Sequence, residues 1–206
     1  MWWQRGLLAV LLGGCTAIAP FGRFATGDAG ADAGPPDDAG TGGMKRVFLS
    51  SMRYGGDLSG VAGADARCSA LAGAQGLGSR YVAWIGVPGN SPADRFDRTA
   101  GPYVRVDGSL VAADWADLTN GVLANLIEMD EHGDIVSDGG LTWTGVTHEG
   151  VPTEDGANCE GWTAGFFEPV GAVGAYDNTE LGEWSHYDNF GPWPCSNYFH
   201  LYCFEQ

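Results

Sequence analysis

Five cysteines, four histidines and 26 carboxylates are the groups in this 206-residue chain that can do chemistry, and their spacing limits what kind. His132, His148, His186 and His200 show no H-E-x-x-H spacing, and no G-x-S-x-G elbow occurs, so neither a zinc-hydrolase nor a serine-hydrolase signature is present. His132 and His148 sit in glycine-flanked acidic loops that predict exposure, whereas His200 falls in an apolar closing run and reads as structural. A hydrolase is left only as a site assembled in space around His186 and a carboxylate. Among the thiols, Cys15 stands apart near the N-terminus. Cys68, Cys159, Cys195 and Cys203 form an even set, which in an exported chain predicts two disulfides, with three pairings open.

The carboxylates are unevenly placed. Residues 45–206 hold 8 Lys and Arg against 22 Asp and Glu, a net of −14, and no Lys or Arg follows Arg105. A nucleic acid or a heparin-like polyanion needs a basic face, so the expected partners exclude both. Most of these carboxylates read as a solvated surface that keeps the chain soluble. Two loops concentrate oxygen donors and are candidates for calcium: Glu154, Asp155 and Asn158 in one, and Asp177, Asn178, Glu180 and Glu183 in the other. Neither follows the twelve-residue EF-hand pattern. Tyr176, Trp184, Tyr187, Phe190 and Trp193, interleaved with polar groups and His186, suit stacking on a sugar ring or anchoring a protein partner. The competing expectation, strongest for Trp184 and Trp193, is that these rings fill a core.

The 34 glycines point to a loop-rich domain. Arg46–Ser51 predicts a first strand, and Val61, Ala64, Cys68 and Leu71 at spacings of three and four predict a helix that Gly76 ends. Tyr81–Val87 reads as a buried strand and Tyr103–Val106 as another. Val111, Trp115, Leu118 and Val122 predict a second helix, on which Asp114 and Trp115 pack against the sheet. Short strands are expected over Leu126–Met129, Leu141–Thr144, Gly161–Thr163 and Phe199–Phe204, an α+β order.

Residues 1–14 read as an export signal: Arg5 supplies charge, and the apolar run Leu7–Leu12 is far shorter than the roughly 20 residues of a membrane span. Leu12-Gly13-Gly14-Cys15 resembles a bacterial lipobox, which makes Cys15 the lipidated residue and the membrane the partner of its acyl chains. The rival is cleavage after Ala17-Ile18-Ala19, which places Pro20 first in the mature chain. Thr16 rather than Asp after the cysteine resembles bacterial sorting to the outer membrane or cell surface. The rest of 15–44 is rich in Gly, Ala, Asp and Pro, and Gly27–Gly43 has no branched apolar or aromatic residue, so a disordered acidic tether is expected.

Several motifs of residues 45–206 occur in a familiar order: Arg46-Val47-Phe48-Leu49-Ser50, Gly63-Ala64-Asp65 with Cys68, Tyr81-Val82-Ala83-Trp84, Ala113-Asp114-Trp115, Trp143-Thr144-Gly145, Cys159-x-x-Trp162, and the ending from Cys195 to Cys203. Together they resemble the endostatin-like domain of certain collagens, and more so a group of bacterial lipoproteins of unknown function with that pattern. Both have the C-type lectin-like fold. The resemblance implies an α+β domain with two early helices, short antiparallel strands, long loops and nested disulfides, Cys68 to Cys203 and Cys159 to Cys195. It also places Trp143 and Trp162 in the core.

The chemistry of those relatives does not transfer. Where sugar-binding C-type lectins carry calcium ligands, this chain reads Val151-Pro152-Thr153 and Pro192-Trp193-Pro194, which lack the oxygen donors. The zinc site of endostatin uses early histidines, whereas the first histidine here is His132. The expected function is a non-enzymatic binding or adhesion module for a glycan or an extracellular protein, with a purely structural envelope role as the rival.

Overall fold

The computed structural model describes residues 43–206 apart from Ser79 and Ala100. The expected signal, the lipidation site Cys15 and the tether through residue 42 lie outside the described residues. The chain runs β1 (Lys45–Leu49), α1 (Gly60–Ala74), β2 (Tyr81–Ala83), α2 (Pro92–Arg95), β3 (Tyr103–Arg105), β4 (Leu110–Ala112), α3 (Trp115–Leu118), β5 (Leu141–Trp143), α4 (Cys159–Trp162), β6 (Val170–Gly171), β7 (Val173–Ala175), a 3₁₀ turn (Asp188–Phe190), β8 (Trp193–Pro194) and β9 (Tyr202–Glu205). The fold is α+β, with few helices and short strands. Among the described residues no helix is long and apolar enough to cross a membrane.

Five strands form one sheet in the order β2-β9-β1-β3-β4, and the pairs β5-β7 and β6-β8 stand beside it. The last strand is therefore interior to the sheet, antiparallel to both β1 and β2. The expectation of antiparallel strands fails at one place: β1 and β3 are parallel, because the chain between them crosses over through α1 and β2. Strand alternation sorts the core into two layers. Phe48, Tyr81, Ala83 and Cys203 face a layer with α1, whereas Val47, Leu49, Trp84, Tyr202 and Phe204 face one with Val111, Leu118 and Trp184. Strands buried on both faces are near-continuous apolar runs, which is how they read in the sequence.

Helix α1 packs by Val61, Ala64, Cys68 and Ala72, all buried. Near its start Gly63 lies under Leu58, where a Cβ would come within 1.9 Å of the Leu58 carbonyl oxygen. Edge strand β2 is closed by side chains, which leaves its backbone nothing to offer another chain. Asp65 accepts from Ala83 N (2.8 Å), and Arg95 bonds both Asp65 oxygens at 2.7 Å, the Ala83 carbonyl, and the Ile85 carbonyl at 2.9 Å. The disulfides are Cys68–Cys203 and Cys159–Cys195, with Cα separations of 5.3 and 5.7 Å. Closing loops of these lengths is worth about 4 to 5 kcal/mol each in the chain-entropy model. Two such bonds suit an exported chain.

Three expected elements differ. The helix through Val111 and Val122 shrinks to the single turn α3, because Val111 joins β4, buried, and Val122 lies beyond the turn, 55% exposed. The side chain of Asp114 caps α3 by accepting from Asp117 N (2.9 Å), and Trp115 packs on Trp84 and Phe96. Leu126–Met129 forms no strand; its one isolated bridge, Met129 to Ile135, closes a hairpin-like loop. Gly161–Thr163 is not a strand either. It belongs to a left-handed turn, with φ of 49°, 56°, 72° and 65° at Cys159, Glu160, Gly161 and Trp162.

That turn is costly for residues with a Cβ, about 1–2 kcal/mol each, and its surroundings hold it. Asn158 Oδ1 accepts from Gly161 N (2.9 Å), the fully buried Trp162 donates its indole N–H to Gly86 O (3.0 Å), and Cys159 is tied to Cys195. Glu160 is exposed and adds only strain. Glu160→Gly is expected to raise the unfolding free energy by about 1 kcal/mol, read from urea denaturation; an unchanged or lower value would mean that the turn is unstrained.

Candidate functional site

The expected aromatic surface divides between core and cleft. Tyr176 and Trp184 are 1% and 2% exposed, inside the layer around Trp84. Trp184 stacks on Trp84 with ring centres 5.0 Å apart and abuts Tyr202 at 5.8 Å, so neither ring offers a face to a ligand. Trp184 also sits tightly against Gly174, where a Cβ would be 2.1 Å from its carbonyl oxygen. Tyr187 and Trp193 are half-buried and come together. With Gly139, Gly140, Leu141, Ala175, Asp177 and Asn178 they wall a cleft of about 410 Å³. Phe190 lies in the 3₁₀ turn just before β8.

This cleft has a built floor and a polar rim. Trp193 is steadied by Phe199, edge-on at 5.6 Å, and by the pairing of β8 with Gly171. Its indole Nε1 is buried without a hydrogen-bond partner. Asp177 is exposed, and its carboxylate lies over Gly140, where a Cβ would meet Oδ1 at 2.7 Å with the backbone at φ +83°. Only glycine satisfies both demands at that position. A carboxylate and the Asn178 amide around two aromatic rings match what a hydroxylated ring needs: apolar faces to stack on, donors and acceptors at the edge.

The Gly139-Gly140 wall hangs from a network that the sequence did not reveal. His200, 2% exposed, donates from Nδ1 to Ser50 O (2.6 Å), and its Nε2 is 3.1 and 3.2 Å from the two Asp138 oxygens. Arg53 pairs with Asp138 at 2.5 Å, and the Tyr176 hydroxyl donates to it at 2.8 Å. Burial alone would raise the Asp138 carboxyl; the bonds from Tyr176 and His200, the His200 charge and the Arg53 bond outweigh it and hold it below the usual carboxylate range. Burial also raises the Tyr176 phenol. With both ring nitrogens engaged, His200 is structural, as its sequence context predicts.

The remaining candidates serve turns. Asp155 Oδ1 accepts from Thr153 Oγ1 (2.7 Å) and Ala157 N (3.1 Å), and Asn158 caps the left-handed turn. Asn178 donates to Glu183 (2.5 Å) and accepts from Glu180 N (2.8 Å), while Glu183 also receives Asn189 (3.3 Å). Glu154 is exposed. Among the described residues no three His, Cys, Asp or Glu side chains converge into a group able to hold a metal ion. His186 Nε2 is 3.3 Å from Asp188, but the crevice they share with Asp155 is about 20 Å³, room for a water molecule rather than a substrate. Of the other histidines, His132 is exposed as expected, and His148 is half-buried against Gly121 and Gly182.

A second cleft of about 330 Å³ shares Asn178 with the first. Its wall combines Val122, Leu123, Ala124 and Leu126 with Asn125, Thr179, Glu128, Glu180, Arg105 and Trp184. No family model matches the chain, and no curated protein matches it in sequence.

The Asp138 network implies a pH dependence of defined sign. A carboxyl whose folded value is depressed contributes stability that is fully present above its unfolded value of about 3.9 and is lost as pH falls through the lower folded value. The melting temperature of Asp138→Asn is therefore expected to fall less steeply than that of the unsubstituted chain as pH drops from about 5 to about 2. Parallel curves would show that Asp138 titrates alike in the folded and unfolded chain.

Proposed function

We propose that residues 45–206 form a C-type lectin-like binding module that takes a neutral glycan in the cleft of Tyr187 and Trp193, on an exported chain lipidated at Cys15. The fold assignment is supported by the terminal strands β1 and β9 lying side by side, by the disulfide that joins the first helix to the last strand, and by the second disulfide nested within it. One observation carries the ligand reading: two half-buried aromatic rings and an exposed carboxylate border one cleft of about 410 Å³. Ligand sites are commonly about 300–1,000 Å³, and a sugar ring needs this mixture of stacking faces and edge donors.

The net charge of −14 across residues 45–206 favours a neutral ligand over a polyanion. The oxygen donors of Asp155, Asn158, Asn178 and Glu183 are engaged in turns, so binding in this reading does not depend on calcium. Acyl chains on Cys15, followed by the Gly-, Ala-, Asp- and Pro-rich segment to residue 44, would hold the module at a bacterial outer membrane or cell surface.

An array of glycans and extracellular proteins, probed with the full chain in calcium and in EDTA, tests the proposal. Glycan signals of equal strength in both conditions are expected. Trp193→Leu, which keeps an apolar side chain and removes the stacking face, and Asp177→Asn should each weaken binding roughly tenfold, the equivalent of about 1.4 kcal/mol. Capture of proteins alone would overturn the glycan reading, silence in both conditions would favour the structural role, and loss of signal in EDTA would restore calcium.

A further inference from the structure

We propose that the two clefts are adjoining subsites for one neutral oligosaccharide, with one ring on Tyr187 and Trp193 and the ring or rings linked to it in the second cleft. This rests on the reading of the first cleft as a sugar site and adds to it the length of the ligand. The first observation is the junction of the clefts. Asn178 belongs to both walls, Asp177 just before it to the first, and Thr179 and Glu180 just after it to the second. Two peptide units span at most about 7 Å, so the divide between the clefts is narrower than two linked sugar rings.

The second observation is that this divide is held in place. The Asn178 side chain accepts from Glu180 N (2.8 Å) and donates to Glu183 (2.5 Å), and its backbone N–H bonds the Ala175 carbonyl (3.3 Å). Glu183 N in turn bonds the Glu180 carbonyl (3.2 Å). A turn bonded at both ends presets the spacing of the two clefts, so binding across it costs little ordering of the protein.

The third observation is how the two walls differ. The second cleft, about 330 Å³, offers apolar surface from Val122, Leu123 and Leu126 to the C–H face of a ring, and polar groups from Asn125, Thr179 and Glu180 to its hydroxyls. It lacks a stacking platform. Trp184, the aromatic residue of its wall, is 2% exposed and packed on Trp84. A free monosaccharide therefore holds to the first cleft and not to the second. A ring joined to one already seated arrives at high effective concentration, so even a weak subsite adds to affinity. The linked rings are uncharged. Arg105 in the second wall is paired with Asp107 (3.0 Å) and Glu128 (3.4 Å), and Glu180 adds a further carboxylate, an unfavourable setting for an acidic sugar.

Isothermal titration of the full chain with cello-, manno- and N-acetylchito-oligosaccharides of one to four rings tests the proposal. In the series that binds, affinity should rise at least tenfold from one ring to three and then level off. Val122→Asp, at an exposed position of the second wall, should remove that rise and keep the single-ring affinity, which also reports that the variant is folded. Trp193→Leu should weaken binding at every length. Affinity that does not change with length overturns the extended site and leaves the single-ring cleft standing, and a rise that persists in Val122→Asp does the same. Loss of binding in Val122→Asp with none in Trp193→Leu overturns both readings. Binding by none of the three series overturns the extended site, and the glycan array then decides the module.

Discussion

The bond between Cys68 and Cys203 fixes the fifteen-residue helix α1 to the strand that completes the sheet, and the other elements are arranged around that tie. β9 is a four-residue strand, Tyr202–Glu205, that occupies an interior position between β1 and β2. Its flanking residues Tyr202 and Phe204 face one core layer, and Cys203 faces the other. The sheet therefore cannot close until the last residues arrive. A bond across 135 residues removes much of the freedom of the unfolded chain that such a late, long-range closure must otherwise overcome. The helix it anchors then seals the β2 edge through Asp65, which bonds Ala83 N and holds Arg95 of α2 against the Ala83 and Ile85 carbonyls.

What was legible in the sequence was whatever depends on periodicity and burial. The β-rich run of β1 and the helical spacing of Val61, Ala64 and Cys68 follow from that, and their places in the core match; Trp143 and Trp162 were placed in the core by resemblance and are buried there. The disulfide pairing came from resemblance and agrees with the structure, although spacing left three pairings open. The failures share a physical cause. Val111 and Trp115 sit at helical spacing, but β3 offers β4 a ladder, and tertiary pairing overrides a short local pattern. The left-handed turn at Cys159–Trp162 leaves no local signal beyond Gly161, since it is imposed by a disulfide, a capping asparagine and a buried indole.

The candidate site was half legible for a related reason. Composition identifies an aromatic stretch but not which rings the sheet consumes: Trp184 completes the layer around Trp84, whereas Trp193, nine residues on, borders a cleft. Nothing local announced that Asp138, His200, Arg53 and Tyr176 would converge to hold the opposite wall at Gly139-Gly140. The acidic character of the chain, by contrast, needed no structure. It bounds the ligand class in both clefts, because any anion would meet uncompensated carboxylates.

The central claim is that Tyr187 and Trp193 form a stacking site for a sugar ring. The most direct measurement is a crystal structure of the chain grown with the saccharide it binds most tightly. A ring packed on these two side chains, with a hydroxyl within hydrogen-bond distance of Asp177, is expected. A saccharide bound elsewhere, with this cleft holding only solvent, would contradict it.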